Sequence, residues 1–453
     1  MQDFSINAQR LGHPFLSRDQ PSSESCFCQL EGEIDDCGCD FDSVDEYNNH
    51  KLFPRLQSIL EKDYFRFYQV NLVRPCPFWP GEEKCGLRDC SVKPCAATEV
   101  PPGIQESPVI KREDCDDELG ALDGSLTESQ SQHLKQWKEH DLKQDNFCDV
   151  GDVSREDEVR FVDLLKNPER FTGYRGDSAR QIWKSIYEEN CFTSERGPGG
   201  DSSPISKGYT DVFAAVGEMC LEKRVFYRCV SGLHTSINIH LTAHHPPVKT
   251  VVPFGSGPSG TEFDDNQWGW NYEEFISRFS PETTYGRGPA FLRNLYFVYL
   301  VELRALAKIA PTLKRFDFYT GNRQEDAETK QAVVELLDLV SEFPNHFDES
   351  IMFASKDAAR LRHEFREHFM NITRIMDCVG CEKCKLWGKL QTQGLGTALK
   401  ILFTPSALSM SLTRNEVVSL FNAFGRLSSS VRHIEEVRDW LKKQNVSQHN
   451  ELR

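Results

Sequence analysis

Long hydrophobic runs are missing from this sequence. No apolar stretch approaches the ~18 residues that a membrane-spanning helix needs. The first twenty residues, MQDFSINAQRLGHPFLSRDQ, are polar and carry no signal-peptide apolar core. Positive charge is also in short supply. Lysine and arginine number 53 against 69 acidic residues, a net charge of −16. That balance argues against nucleic acid or an anionic membrane as the main partner. No internal repeat is present. The glycine-spaced stretch GLGTAL at 394–399 is only part of a dinucleotide fingerprint and follows no recognisable strand, which excludes a Rossmann fold. A chain of 453 residues suggests two or three domains or one large one, and it can bury a core without disulfides to hold it.

Cysteine, by contrast, is abundant: there are 16. They cluster as CFC at 26–28, CGC at 37–39, then Cys76, Cys85, Cys90 and Cys95. Such density belongs to oxidising compartments or to metal sites. The chain is therefore expected to lack its leader rather than to be cytosolic. Asn371 and Asn445 stand in sequons and are the glycosylation candidates.

The texture changes along the chain. Residues 1–24 form a polar tail. Residues 20–100 are rich in cysteine and turn residues, and 103–135 are polar and acidic around a lone Cys115, the composition of a mobile loop. From about 155 the apolar spacing turns helical. Ile182, Trp183, Ile186 and Tyr187 share a face, as do Leu292, Leu295, Tyr299, Leu303 and Leu306. Further stripes run through Val333 to Phe343, Phe365 to Met376, and Val417 to Ile434. The expected fold is mostly α: a helical core over 136–453 with a loop-rich, cysteine-rich segment over 25–135, in essentially one globular domain.

The stretch CVGCEKC, 378–384, poses the chemical question. If the preceding helix continues, residues three apart lie roughly 5 Å apart, within the ~4.4–6.8 Å range of a disulfide, and residues six apart do not. Cys381 can then pair with a neighbour, while one outer cysteine needs another partner. A redox pair, a zinc site and an inert staple all remain open. Lys383 and Lys385 would favour a reactive thiolate. CGLRDC, 85–90, adds a second choice. Cys85 can pair with Cys90, or Cys90 with Cys95 and Cys85 with Cys115. The two patterns exclude each other, which is the outline of a switch; the plainer alternative is a fixed structural knot.

These residues carry a resemblance. CVGCEKCKLWGKLQTQGLGTALKILF (378–403), PCPFW…CGLRDC…KPC (75–95), NPERFTGYRG…IWKSIYEENCF (167–192), SGLHTSINIHL (231–241) and LTRNEVVSLFNAFGRLS (412–428) resemble the endoplasmic oxidoreductins, the Ero family of flavin-dependent thiol oxidases. The resemblance runs from about residue 24 to 440. It implies an active-site disulfide Cys381–Cys384, a shuttle disulfide Cys85–Cys90, and regulatory pairs Cys85–Cys115 and Cys90–Cys95. It implies structural bridges Cys76–Cys378, Cys191–Cys220, Cys26–Cys39 and Cys28–Cys37, leaving Cys148 and Cys229 over. It places FAD on Arg170, Thr172, Trp183, Ser231, His234 and Arg278, with no metal. A family arginine falls on Phe291, for which Arg287 or Arg293 could substitute.

Without the resemblance, Trp183 would be core packing, His234 a structural histidine or part of a metal cluster with His240, His244 and His245, and Arg170 and Arg278 surface charges. Together they suit a dinucleotide: arginines for phosphate and an aromatic face for stacking. The implied activity is oxidation of reduced protein disulfide isomerase, with oxygen as acceptor and hydrogen peroxide as product. It implies a monomer in the endoplasmic reticulum lumen, with peripheral association with the lumenal membrane face. The loop around 245–268 is expected to offer an apolar tip to the isomerase. The competing expectations are a zinc-stapled module using Cys76, Cys378, Cys381 and Cys384, and a disulfide-rich binding protein without chemistry.

Overall fold

The computed structural model describes residues 41–76, 78, 90–105, 159–169, 182–183, 185–187, 189, 221–243, 270–343, 349–353, 358–404 and 410–451. The fold is mostly helical, as the sequence periodicity predicts. Helices begin earlier than expected, however. Residues 41–66, assigned from sequence to a turn-rich segment, form α1 (Phe41–Tyr47), a π-helical turn (Asn48–Leu52), α2 (Phe53–Leu60) and α3 (Asp63–Arg66). Val44, Leu52, Leu56 and Ile59 recur every three, four or eight residues and are all buried, so this is an amphipathic stretch belonging to the main core. Pro54 sits at the start of α2, where a missing N–H costs nothing.

After α3 the chain extends into β1 (Phe67–Val70). α4 (Pro102–Gln105) follows, and then β2 (Arg160–Asp163). The two strands pair antiparallel, Phe67 opposite Asp163 and Val70 opposite Arg160. Pro94 makes an isolated antiparallel bridge to Val162 on the other side of β2.

Four long helices build the interior: α5 (Leu221–Ala243), then, after the short α6 (Tyr272–Phe279), α7 (Gly288–Leu313), and, beyond α8 (Arg323–Glu342) and α9 (Ala358–Ile375), α10 (Glu382–Phe403) and α11 (Arg414–Glu451). Their starts carry local signals. Asn322 caps α8 by accepting from the Gln324 and Glu325 N–H groups. Thr413 and Glu416 form a reciprocal capping box at α11: the Thr413 N–H donates to Glu416 Oε2 at 2.8 Å, and the Glu416 N–H donates to Thr413 Oγ1 at 3.3 Å. The stripe Leu292, Leu295, Tyr299, Leu303 and Leu306 is fully buried on α7.

Two glycines set how closely these helices cross. A Cβ on Gly394 of α10 would lie 2.3 Å from Ala423 Cβ and 2.5 Å from the Ser419 carbonyl oxygen of α11. A Cβ on Gly232 of α5 would lie 2.4 Å from the Asn294 carbonyl oxygen of α7. GLGTAL is therefore a helix-crossing motif rather than a phosphate loop. No described helix is long and apolar enough to cross a membrane.

Candidate active site

The apolar stripe of α9 predicts a helix running into CVGCEKC, but the helix stops short. After Ile375 come a 3-10 turn at Met376–Cys378 and extended backbone at Val379 and Cys381, and α10 begins at Glu382. Cys381 is thus the N-cap of α10. Its Sγ accepts a hydrogen bond from the Cys384 N–H at 3.3 Å, the role a serine or aspartate oxygen usually plays. The helix N-terminus favours negative charge on that sulfur. Cys381 is 1 % exposed and Cys384 fully buried, both within the main apolar core.

The third cysteine is held elsewhere. Cys378 forms a disulfide with Cys76, with Cα atoms 4.4 Å apart and 302 residues between them in sequence. Two of the four sulfurs of the zinc reading are therefore bonded to each other and cannot act as thiolate ligands. Among the described residues no group of three or more His, Cys, Asp or Glu could hold a metal ion. Beside the disulfide, buried Asp377 accepts from Lys389 Nζ at 2.7 Å, and Arg74 and Arg374 approach its other oxygen. Lys389 also donates to the Asn71 carbonyl, and Lys385 to that of Leu72. The Lys385 ammonium thus reaches the chain beyond β1, where the sequence reading had it supporting the thiols.

The segment of Cys90 docks on this same helix start. The Lys383 N–H, one of the orphan donors at the N-terminus of α10, donates to the Cys90 carbonyl at 2.9 Å. The Val92 N–H donates to Glu382 Oε2 at 2.9 Å. Cys90 is buried and disulfide-bonded, and its partner lies outside the described residues. Cys95 is a half-buried thiol. Burial, with the nearby Asp163 and Glu99 carboxylates, raises its pKa. Of the two exclusive pairing patterns, this structure has Cys90 bridged away from Cys95.

The expected cofactor residues that are described, Trp183, Ser231, His234 and Arg278, fall in three places. Trp183 and His234 stack face to face, ring centroids 3.6 Å apart and planes 16° from parallel. Tyr187, which the sequence reading assigned only to packing, shares a 2.9 Å hydrogen bond with His234 Nδ1. Burial, reinforced by the Arg278 charge, pushes the imidazole down to about 3 although its edge stays partly open, so it is neutral at neutral pH. Arg278 is bound by Glu274 and by Asn238, one helical turn beyond His234. Ser231 is turned to the α5–α7 crossing, where its Oγ accepts from Asn294 Nδ2 at 2.9 Å. An indole face that already accepts a parallel ring, a neutral imidazole and a cation about one turn away fit a flat heteroaromatic group with a phosphate tail.

Phe291 packs against the core. Arg287 donates to the Thr284 carbonyl. Cys229 is a buried core thiol whose pKa burial pushes up to about 12. Arg170, Thr172, Cys85, Cys115, Cys148, Cys191, Cys220, Cys26, Cys28, Cys37, Cys39 and the 245–268 loop lie outside the described residues, as does the Asn445 side chain. Of the two glycosylation candidates, Asn371 is fully buried and its Nδ2 donates to Glu189 Oε2 at 3.0 Å.

The family model described as Endoplasmic Reticulum Oxidoreductin 1 (ERO1) matches residues 51–434, which span the disulfide, the N-capping cysteine and the Trp183–His234 stack. The chain belongs to this family. Among curated relatives, the ERO1-like protein alpha of Bos taurus is 48% identical over 463 residues, covering 96% of each chain. That of Homo sapiens is 46% identical with the same coverage, and the Ero1-like protein of Drosophila melanogaster is 46% identical over 92% of this chain and 91% of its own. A solved structure of Ero1p, titled as a source of disulfide bonds for oxidative protein folding in the cell, aligns with a TM-score of 0.55 at 28% identity, covering 90% of this chain and all of that one. The mostly helical architecture is therefore that of the ERO1 family, and the chain is an oxidoreductin.

Sequence reasoning missed Asn167, Glu382 and Tyr187. Glu382 stands inside CVGCEKC, and Asn167 opens the NPERF stretch, where Asn-Pro signals a turn. Both were legible as positions, though not as contacts.

Proposed function

We propose that this chain is a thiol oxidase of the endoplasmic reticulum lumen that uses FAD to make disulfides for oxidative protein folding. Its reducing substrate is the dithiol of a protein disulfide isomerase, and its acceptor is molecular oxygen. The observation that carries this reading is the docking of Cys90, through its carbonyl on the Lys383 N–H, at the helix end capped by Cys381. The segment of one disulfide-bonded cysteine and the buried Cys381 and Cys384 thus meet at one helix N-terminus.

The steps follow thiol–disulfide exchange. A substrate thiolate attacks the Cys90 bridge, whose partner on this reading is Cys85. The second substrate thiol resolves the mixed disulfide and leaves oxidised isomerase and a Cys85/Cys90 dithiol. That dithiol in turn reduces a Cys381–Cys384 disulfide, with Cys381 the sulfur attacked. Cys384 leaves as the deeper thiolate, and the first N–H groups of α10 favour negative charge on these sulfurs. A bound flavin supplies a two-electron acceptor that oxygen reoxidises, with hydrogen peroxide as product. Trp183, His234 and Arg278 would hold it, together with Arg170, Thr172 and Ser231.

The double variant Cys85→Ala/Cys90→Ala tests the relay. It should keep its flavin absorbance and its oxidation of small dithiols, and lose oxidation of the isomerase. Normal turnover of the isomerase by this variant would remove Cys85 and Cys90 from the path.

A further inference from the structure

Between Cys90 and Cys95 the backbone is tied at almost every step. Cys90 O is bound by Lys383 of α10, and the Val92 N–H by Glu382. Lys93 is gripped on both sides by one side chain: its N–H donates to Asn167 Oδ1 at 2.7 Å, and its carbonyl accepts from Asn167 Nδ2 at 2.9 Å. Pro94 bridges to Val162, and the Cys95 N–H donates to the Phe161 carbonyl at 3.0 Å. Asn167 thus does with a side-chain amide what a neighbouring strand would do with a peptide group. It is fully buried, and its own carbonyl accepts from the Trp387 indole N–H at 2.8 Å, one turn after Cys384 on α10. A single residue therefore joins the Cys90–Cys95 segment to the helix that carries the buried cysteine pair.

We infer that Asn167 is a positioning residue that latches the Cys90–Cys95 segment against β2 and α10, holding Cys90 at the active-site helix and out of reach of Cys95. Five residues of extended chain span about 16 Å. A disulfide needs Cα atoms within about 6.8 Å. Pairing Cys90 with Cys95 requires the chain between them to fold back, and the two Asn167 bonds to Lys93 must break for it to do so. The exchange itself is balanced. The Cys95 thiolate attacks the Cys90 sulfur, the existing Cys90 bridge breaks, the Cys90–Cys95 bond forms, and the expelled sulfur takes up the proton that Cys95 gave. No outside oxidant is consumed. The carboxylates of Asp163 and Glu99 act in the same direction, since they disfavour the Cys95 thiolate. The inference rests on the shuttle reading given above and extends it: the position of the switch is set by side-chain hydrogen bonds to backbone as well as by the sulfurs.

The experiment uses the full, oxidatively folded chain equilibrated in glutathione buffers of graded ratio, with thiols trapped by alkylation and linked peptides mapped by mass. Two variants are compared with the native chain. Asn167→Ala removes both bonds, together with the 3.0 Å bond from Asn167 Nδ2 to the Asp163 carbonyl. Lys93→Pro, on an exposed residue, removes the N–H that Asn167 accepts and leaves the buried side chain alone, so it decides the matter if Asn167→Ala misfolds. Losing the two partly buried Lys93–Asn167 hydrogen bonds should raise the Cys90–Cys95 population about tenfold at a fixed ratio, and losing one should raise it severalfold. The Cys76–Cys378 bridge and the unfolding midpoint of Lys93→Pro should stay as in the native chain. A native Cys85–Cys90 bridge with no shift in Lys93→Pro overturns the latch alone. A native chain in which Cys90 is bridged to a cysteine other than Cys85 overturns the shuttle assignment and the latch with it.

Discussion

Cys384 and Cys95 are two cysteines in one protein, and they are held in opposite ways. Cys384 lies in the first turn of a 22-residue helix, is fully buried, and is surrounded by the main core. Its helix is capped by Cys381, packed on α11 through Gly394, and fixed at its entry by a disulfide across 302 residues. Cys95 sits half-buried at the margin of a two-stranded sheet, and its segment is attached by single hydrogen bonds, most of them between a side chain and the backbone. Each such bond is worth about 1 kcal/mol. The first region resists displacement by burial and covalent closure, and the second can be released by losing a few contacts. The proposed electron relay would need that difference: a fixed acceptor pair and a donor segment that can leave to meet another protein.

The sharpest way to break the comparison is to loosen the fixed side. Gly394→Ala would drive a Cβ against both Ala423 and the Ser419 carbonyl oxygen, and backbone cannot yield as a side-chain tip can. The variant should lose about 1–3 kcal/mol, toward the upper end. Denaturant unfolding of the purified protein reads this directly, and an unchanged midpoint would show that the α10–α11 crossing is looser than described.

A smaller effect sharpens the same contrast. His234 has its pKa lowered to about 3, so the unfolded chain binds a proton below pH 6.5 that the folded chain refuses. Stability from this group is fully present above pH 6.5 and is lost as pH falls toward 3. A full shift gives about 1.4 kcal/mol per pH unit, and the partly open ring edge reduces that to about 1 kcal/mol between pH 6.5 and 5. Native protein and His234→Gln, unfolded in denaturant at both pH values, should converge in stability as pH falls. Parallel curves would mean that His234 titrates normally and that the Trp183 face is wet.

Much of the helical frame was legible in the sequence. The 3.6-residue stripes of α7, α8 and α11 appear without help because each faces one core. Residues 41–66 were less legible, because a short helix and a π-helical turn beside a dense cysteine cluster do not show a clean period. The break before Cys381 was not legible at all: the apolar spacing of α9 runs on to Met376, and nothing local says that the backbone becomes extended at Val379. The Cys76–Cys378 pair came from family resemblance, since spacing says only that one outer cysteine needs a distant partner. Asn167 was legible as a turn position but not as a contact for the same reason, since its partner lies 74 residues away. Local spacing encodes helix faces, whereas the site is assembled from contacts between segments far apart in sequence.

The central claim is that Cys381 and Cys384 pass electrons to a flavin held by the Trp183–His234 face. It is tested most directly by the visible spectrum of the oxidatively folded protein under nitrogen, with dithiol added and air then admitted. The account predicts a yellow flavin spectrum that bleaches with dithiol and returns with oxygen, and a Cys384→Ser variant that stays yellow under dithiol throughout. A folded native protein without flavin absorbance, or a flavin that bleaches equally fast in Cys384→Ser, would contradict it.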